Sequence, residues 1–144
     1  MRKEITISAD INQIETVITF VREQLFEANC PKDTISEMSV VVDEIMANIV
    51  NYAYPDGKKG KCNITVCITE EDRLLSVTFA DRGIPYDPTK KEDPAVIFKE
   101  DLTVDDVPNG GFGIYLVKQF TDQMIYERKD GQNLLTIRKK YGMS

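Results

Sequence analysis

Residues 43–54 read DEIMANIVNYAY. Two acids open the stretch, and Asn48 and Asn51 interrupt an otherwise apolar helical pattern. Asparagine is a middling helix former, and a buried amide without a partner is costly. Advancing about 100° per residue with Glu44 at 0° places Asn48 near 40° and Asn51 near 340°. Ile45, Ile49 and Tyr52 fall between roughly 80° and 140°, beside Met38 and Val42, while Asp43 lands near 260°. Glu44, Asn48 and Asn51 thus share a polar stripe at the edge of an apolar face, and Asp43 does not. Such a stripe has two readings. One is a solvated face with i, i+4 hydrogen bonds. The other is a site, with a carboxylate as base and an amide oxygen one turn away, about 5.4 Å, as ligand for a hard cation such as Mg²⁺.

Working outward, residues 3–8 alternate as a strand, and Ser8 or Asp10 can cap a helix over 10–28 carrying Ile11, Ile14, Ile18, Val21 and Leu25 at helical spacing. After Asn29-Cys-Pro-Lys the second helix starts. Asp33 or Thr34 is the expected cap, with Glu37 completing a capping box, and the helix runs to about Tyr52, before Pro55-Asp-Gly. CNITVCIT (62–69) and LLSVTFAD (74–81) form a hairpin pattern, as do QMIYERK (123–129) and NLLTIRKK (133–140), joined at Asp130-Gly131. Between them lies a long stretch with Pro85, Pro88, Pro94 and Pro108 and many acids, the pattern of a lid or binding loop. GGFG then opens a third helix, IYLVKQF. The order β-α-α-β-β-loop-α-β-β predicts an α+β sandwich, a mostly antiparallel mixed sheet with helices on one face, in a single domain over 1–144.

Composition narrows the function. A net charge of −6 argues against a nucleic-acid backbone as partner. The basic run RKKY reads as the end of a solvated strand. No apolar run reaches the length of a membrane span, and the N-terminus MRKEITISAD develops no apolar signal segment, so a cytoplasmic protein is expected. Cys30, Cys62 and Cys67 read as reduced thiols, with Cys62 and Cys67 on opposite strand faces. With no histidine in the chain, a zinc site and imidazole chemistry are disfavoured.

Two more motifs stand beside the stripe. Asp81-Arg-Gly83 closes an apolar strand, which is a common turn or an acceptor beside a close backbone approach. Asn109-Gly-Gly-Phe-Gly113 precedes a helix. It is a plain loop or a set of free backbone N–H groups for a phosphate; it matches neither a Walker A loop nor a dinucleotide fingerprint.

In this order and spacing the three motifs resemble the GHKL ATPase superfamily, which includes gyrase-type ATPases and histidine-kinase catalytic domains. The N box corresponds to Glu44 and Asn48, the first glycine box to Asp81-Arg-Gly83-Ile-Pro85, and the second to Gly111-Phe-Gly113. The strings NIVNYAYP, DRGIPYDP and GGFGIYLVKQFTDQMIYERKDGQNLLTIRKK are similar to the anti-sigma-factor serine/threonine kinase branch, and the likeness covers about residues 5–140. It implies a Bergerat fold with an ATP lid at about 84–109. It implies Glu44 as general base, Asn48 as the Mg²⁺ ligand, and Asp81 as acceptor of the adenine amino group. Gly83 would let the ring lie close, and Gly111, Phe112 and Gly113 would wrap the phosphates; Asn51 would contact phosphate or order water. The implied substrates are ATP and a small anti-anti-sigma (STAS-type) protein, with a sigma factor as further partner and a homodimer as the assembly. A nucleotide-gated binding module without turnover is the alternative. Pro85 replaces the second glycine of its box, and Asn51 stands where the family often has histidine. Thr136 falls one residue from the family's adenine-side threonine, at the place of Leu135, and a one-residue shift reverses a strand's face, so Thr136 is set outside the site.

Overall fold

The computed structural model describes residues 1–55, 60–91 and 112–142. Five strands, β1 (Arg2–Ser8), β2 (Lys61–Thr69), β3 (Leu74–Asp81), β4 (Gln123–Lys129) and β5 (Gln132–Lys140), form one sheet in the order β1-β2-β3-β5-β4. All four pairings are antiparallel, so the sheet is antiparallel throughout rather than mixed. Both expected hairpins are present. Asp130 (φ 52°) and Gly131 (φ 77°) make the tight β4–β5 turn, whose left-handed backbone suits Asp-Gly.

Among the described residues three α-helices cover one face: α1 (Ile14–Glu27), α2 (Lys32–Asn48) and α3 (Phe112–Phe120), with α2 packed against both others. The period-two pattern of the strands meets the helical pattern of this layer. Ile64, Val66, Val77, Phe79 and Ile137 from the sheet and Val17, Leu25, Met38, Val41 and Ile45 from the helices are fully buried together. Each such side chain contributes on the order of 1.5–3 kcal/mol of transfer free energy, offset by conformational entropy. Cys62 is buried in this core while Cys67 lies half-buried on the other face, as strand parity requires.

The first helix starts later than its apolar pattern suggests. Asp10 caps a 3-10 turn (Ile11–Gln13), accepting from Asn12 N at 3.0 Å, and Ile11 is exposed there. Asn29, at φ 58°, ends the α1 connection in the left-handed region. The capping box expected at Thr34 and Glu37 does not form. The helix begins three residues earlier, after Pro31, whose carbonyl accepts from Ile35 N at 3.1 Å. Thr34 is therefore already inside the first turn and buried, and Glu37 pairs instead with Lys139 at 3.0 Å. Lys139 Nζ also donates to Phe120 O, so this pair joins the end of α3 to α2 and β5.

Candidate functional site

The end of α2 departs from regular geometry. Residues Ile49–Ala53 form a π-helical turn. Its wider i→i+5 bonding advances less than 100° per residue, so positions beyond Asn48 rotate away from their expected angles. Ile45, Ile49, Met38 and Val42 lie in the core as expected. Tyr52 does not; it is exposed and its ring lies 6.0 Å from that of Tyr86. Asn51 is exposed as well and lines an outer groove with Tyr52, Ile84 and Tyr86. The stripe is thereby split, with Glu44 and Asn48 on the α-helical part and Asn51 beyond the π-turn.

Asn48 lines a narrow pocket beneath the helices, with a cavity volume of about 30 Å³. Ile45, Ile49 and Ala53 of the α2 region, Phe79 and Asp81 of β3, and Leu135 of β5 line it, closed by Tyr86, Pro88, Tyr126 and Asn133. The lining is mostly apolar with a few convergent polar groups, the usual character of a small-molecule site. Asp81 reaches the pocket because it continues the inward parity of Leu75, Val77 and Phe79. Its Oδ1 accepts from Gly83 N and from Asn133 Nδ2, both at 2.9 Å. Cys62, paired opposite Asp81, has its thiol pushed up to about 12 by burial first and then by the Asp81 charge, so it stays a neutral packing group.

Gly83 sits where no side chain fits. A β-carbon there would lie 2.1 Å from the Ala53 carbonyl oxygen, and Ile84 N donates to that same oxygen at 2.8 Å. Tyr54 fixes the turn from behind: its hydroxyl accepts from Arg82 N at 2.9 Å and donates to Lys61 O at 2.6 Å. Ile84 to Lys91, the start of the expected lid, is tied to the body of the domain. Pro88 is buried in a 3-10 turn capped by Asp87, which accepts from Thr89 N at 2.9 Å, and Lys118 Nζ of α3 donates to Lys91 O at 2.8 Å. The rest of that segment, 92–109, lies outside the described residues, as does Gly111.

Glu44 is half-buried and touches α3. A β-carbon on Gly113 would lie 2.0 Å from Glu44 Oε2, so the missing side chain makes room for the carboxylate. Burial, then the charge of Asp43, holds the Glu44 carboxyl above its ordinary range. Asp43 itself is exposed. Phe112 is the first residue of α3. Among the described residues no cluster of three His, Cys, Asp or Glu side chains could hold a metal. The amide oxygen of Asn48 suits a hard cation that takes its other ligands from a polyphosphate and water.

Strand parity separates Leu135 from Thr136. Leu135 lines the pocket, whereas Thr136 lies on the other face with its hydroxyl 3.0 Å from that of Thr78. The residue that sequence reading missed is Asn133, buried and bonded to Asp81. Its signal was present: it shares the inward parity of Leu135 and Ile137 immediately after the Asp-Gly turn.

A family model described as the histidine kinase-like ATPase domain matches residues 7–139. The serine/threonine-protein kinase BtrW of Bordetella bronchiseptica is 33% identical over 100 residues, covering 69% of this chain and 66% of that protein. The serine-protein kinase RsbW of Bacillus subtilis is 31% identical over 99 residues, covering 69% and 61%. The chain thus matches a little under two thirds of the length of these relatives. In a solved structure, the RsbU and RsbW domains of a Mycobacterium tuberculosis protein share the fold at a TM-score of 0.67 and 18% identity, covering 98% of this chain and 32% of that one. No helix among the described residues is long and apolar enough to cross a membrane. On the strength of the match over residues 7–139, this chain belongs to the histidine kinase-like ATPase domain family.

Proposed function

We propose that the domain is an ATP-dependent serine/threonine protein kinase of the anti-sigma type, acting in the cytoplasm on a small anti-anti-sigma protein, with a sigma factor as second partner and a homodimer as its assembly. One observation carries this reading. Asn48 and Asp81 line a single pocket, while Glu44, one turn from Asn48, lies against the start of α3. Those are the positions where a purine, a polyphosphate and an attacking hydroxyl would have to meet.

In this proposal Asp81 accepts from the adenine amino group and Gly83 lets the ring approach the backbone. Gly111, Phe112 and Gly113 offer the phosphates the N-terminal end of α3, where backbone N–H groups and the helix dipole favour an anion. Asn48 holds Mg²⁺, which when bound offsets triphosphate charge, and Asn51 meets the phosphates or ordered water from the rim. Residues 84–91 wall the base, as the first part of a lid over about 84–109. Glu44 accepts the proton of the acceptor hydroxyl as its oxygen bonds to the γ-phosphorus. The bond from that phosphorus to the β–γ bridging oxygen breaks, and ADP leaves. Such catalysis is mainly positioning and charge stabilisation.

The test is incubation of the protein with γ-labelled ATP, Mg²⁺ and candidate small partner proteins. Label on a partner serine or threonine, lost with Glu44→Gln while nucleotide binding persists, supports the kinase. Nucleotide-dependent complex formation without label transfer would instead make the domain a nucleotide-gated binding module.

A further inference from the structure

The turn Asp81–Ile84 is held on both sides. Beyond the contacts from Ala53 and Tyr54, the β4–β5 hairpin grips it through a polar cluster centred on Asn133. Asn133 Nδ2 donates to Asp81 Oδ1 at 2.9 Å and to Ile84 O at 2.7 Å. Its Oδ1 accepts from the Tyr126 hydroxyl and from Arg128 Nη1 at 3.2 Å. Arg128 Nη1 also donates to Gly83 O at 2.7 Å. Both amide hydrogens and both oxygen lone pairs of Asn133 are thus engaged within the protein. The amide has one orientation, because a flip would set its NH₂ against the guanidinium, which only donates. With nothing left to offer a ligand, Asn133 acts through Asp81.

The consequence for Asp81 is specific. Oδ1 already takes two N–H donors, and Oδ2 has no hydrogen-bond partner among the described residues. The carboxylate is locked at one oxygen and presents the other as a bare acceptor. We propose that Asn133, oriented by Arg128 and Tyr126, is the positioning residue that makes this pocket select a 6-amino purine over a 6-oxo purine. The inference rests on the nucleotide reading above. An exocyclic amino group meets a fixed acceptor and gains a hydrogen bond. A 6-oxo group there sets acceptor against acceptor, and both desolvated groups go unpaired. Without Asn133 only Gly83 N restrains the carboxylate, which can then turn and no longer sets a fixed acceptor against the base.

The experiment is displacement of a labelled ATP analogue by unlabelled ATP and by inosine triphosphate, with Mg²⁺. It compares the wild-type chain with Asn133→Leu and Arg128→Met. Arg128 is exposed, so its replacement leaves the core intact and serves if Asn133→Leu does not fold. Wild type is expected to prefer ATP by about tenfold or more, and Asn133→Leu to lose most of that preference. Arg128→Met should narrow it by several-fold, because it removes the charge-assisted hydrogen bond that orients Asn133 Oδ1. A merely structural role would weaken both nucleotides equally and leave their ratio unchanged. An unchanged ratio in the folded variants therefore overturns the assignment, as does a wild type that binds both nucleotides equally well. A wild type that binds neither nucleotide removes the nucleotide reading itself and this inference with it.

Discussion

Gly113 and Glu44 occupy one another's space: a methyl group on Gly113 would stand 2.0 Å from Glu44 Oε2. The glycine that opens α3 therefore has a steric reason independent of backbone conformation, which is to admit a carboxylate from α2. Because the obstructing atom ends a flexible side chain, Gly113→Ala should fold with little loss of stability. The cost should fall on the chemistry. Displacing Glu44 by about an ångström would slow phosphoryl transfer on the order of 10²-fold, with nucleotide affinity nearly kept. Thermal melts, nucleotide titration and transfer assays on the variant separate these effects; a large drop in melting temperature with normal transfer per folded molecule would refute the pairing.

Glu44 also makes the domain pH-sensitive in a defined direction. Burial and Asp43 raise its pKa above the ordinary 4.5, so between the unfolded and folded values the folded state holds a proton that the unfolded chain has released. Stability is fullest below the unfolded value and declines as pH rises from there through the raised folded value. Glu44→Gln removes that decline and should be more stable than wild type at about pH 8, but not at about pH 4, in urea melts. Transfer runs the other way. A base must be ionised, so the rate should fall as pH drops through the raised Glu44 value, at a pH above the usual carboxylate range.

Gly83→Ala should fail differently from Gly113→Ala. Its β-carbon would meet the Ala53 carbonyl oxygen at 2.1 Å, a backbone atom that cannot swing aside. The expected cost is about 1–3 kcal/mol in denaturant unfolding, as for an overpacked core, together with loss of nucleotide binding. A variant of wild-type stability that still binds nucleotide would show that the turn has slack.

Tyr54→Phe tests the outer brace of the same turn. Removing the hydroxyl takes the acceptor from Arg82 N and the donor from Lys61 O. A loss of about 1 kcal/mol is expected, since both orphaned groups gain access to water. Nucleotide binding should weaken only through the turn, by less than in Gly83→Ala.

Most of the scaffold was legible because its elements carry strong periods. The five strands lie where β-branched alternation put them, and Asp130-Gly131 turns as its residues require. Glu44, rather than Asp43, faces inward because α2 is regular as far as Asn48. What misled was local backbone geometry. The π-turn at Ile49–Ala53 carries Asn51 and Tyr52 off the angles of a regular helix, and no residue in NIVNYA announces it. Pro31 starts α2 before the apparent Thr34 cap. Asn133 was missed because its importance lies in pairing across from Asp81, and β3–β5 pairing joins strands of different hairpins that no local pattern connects.

Under the proposed function, one pocket receives the base of an adenine nucleotide while Asn48 holds the metal that accompanies it. Titration calorimetry of wild type and Asn48→Ala with ATP, in Mg²⁺ and in excess chelator, addresses that directly. Wild type should bind saturably and more tightly with Mg²⁺, and Asn48→Ala should lose most of the Mg²⁺-dependent gain while keeping its metal-free affinity. Absence of saturable binding by wild type, or an equal loss for Asn48→Ala with and without the metal, would contradict it.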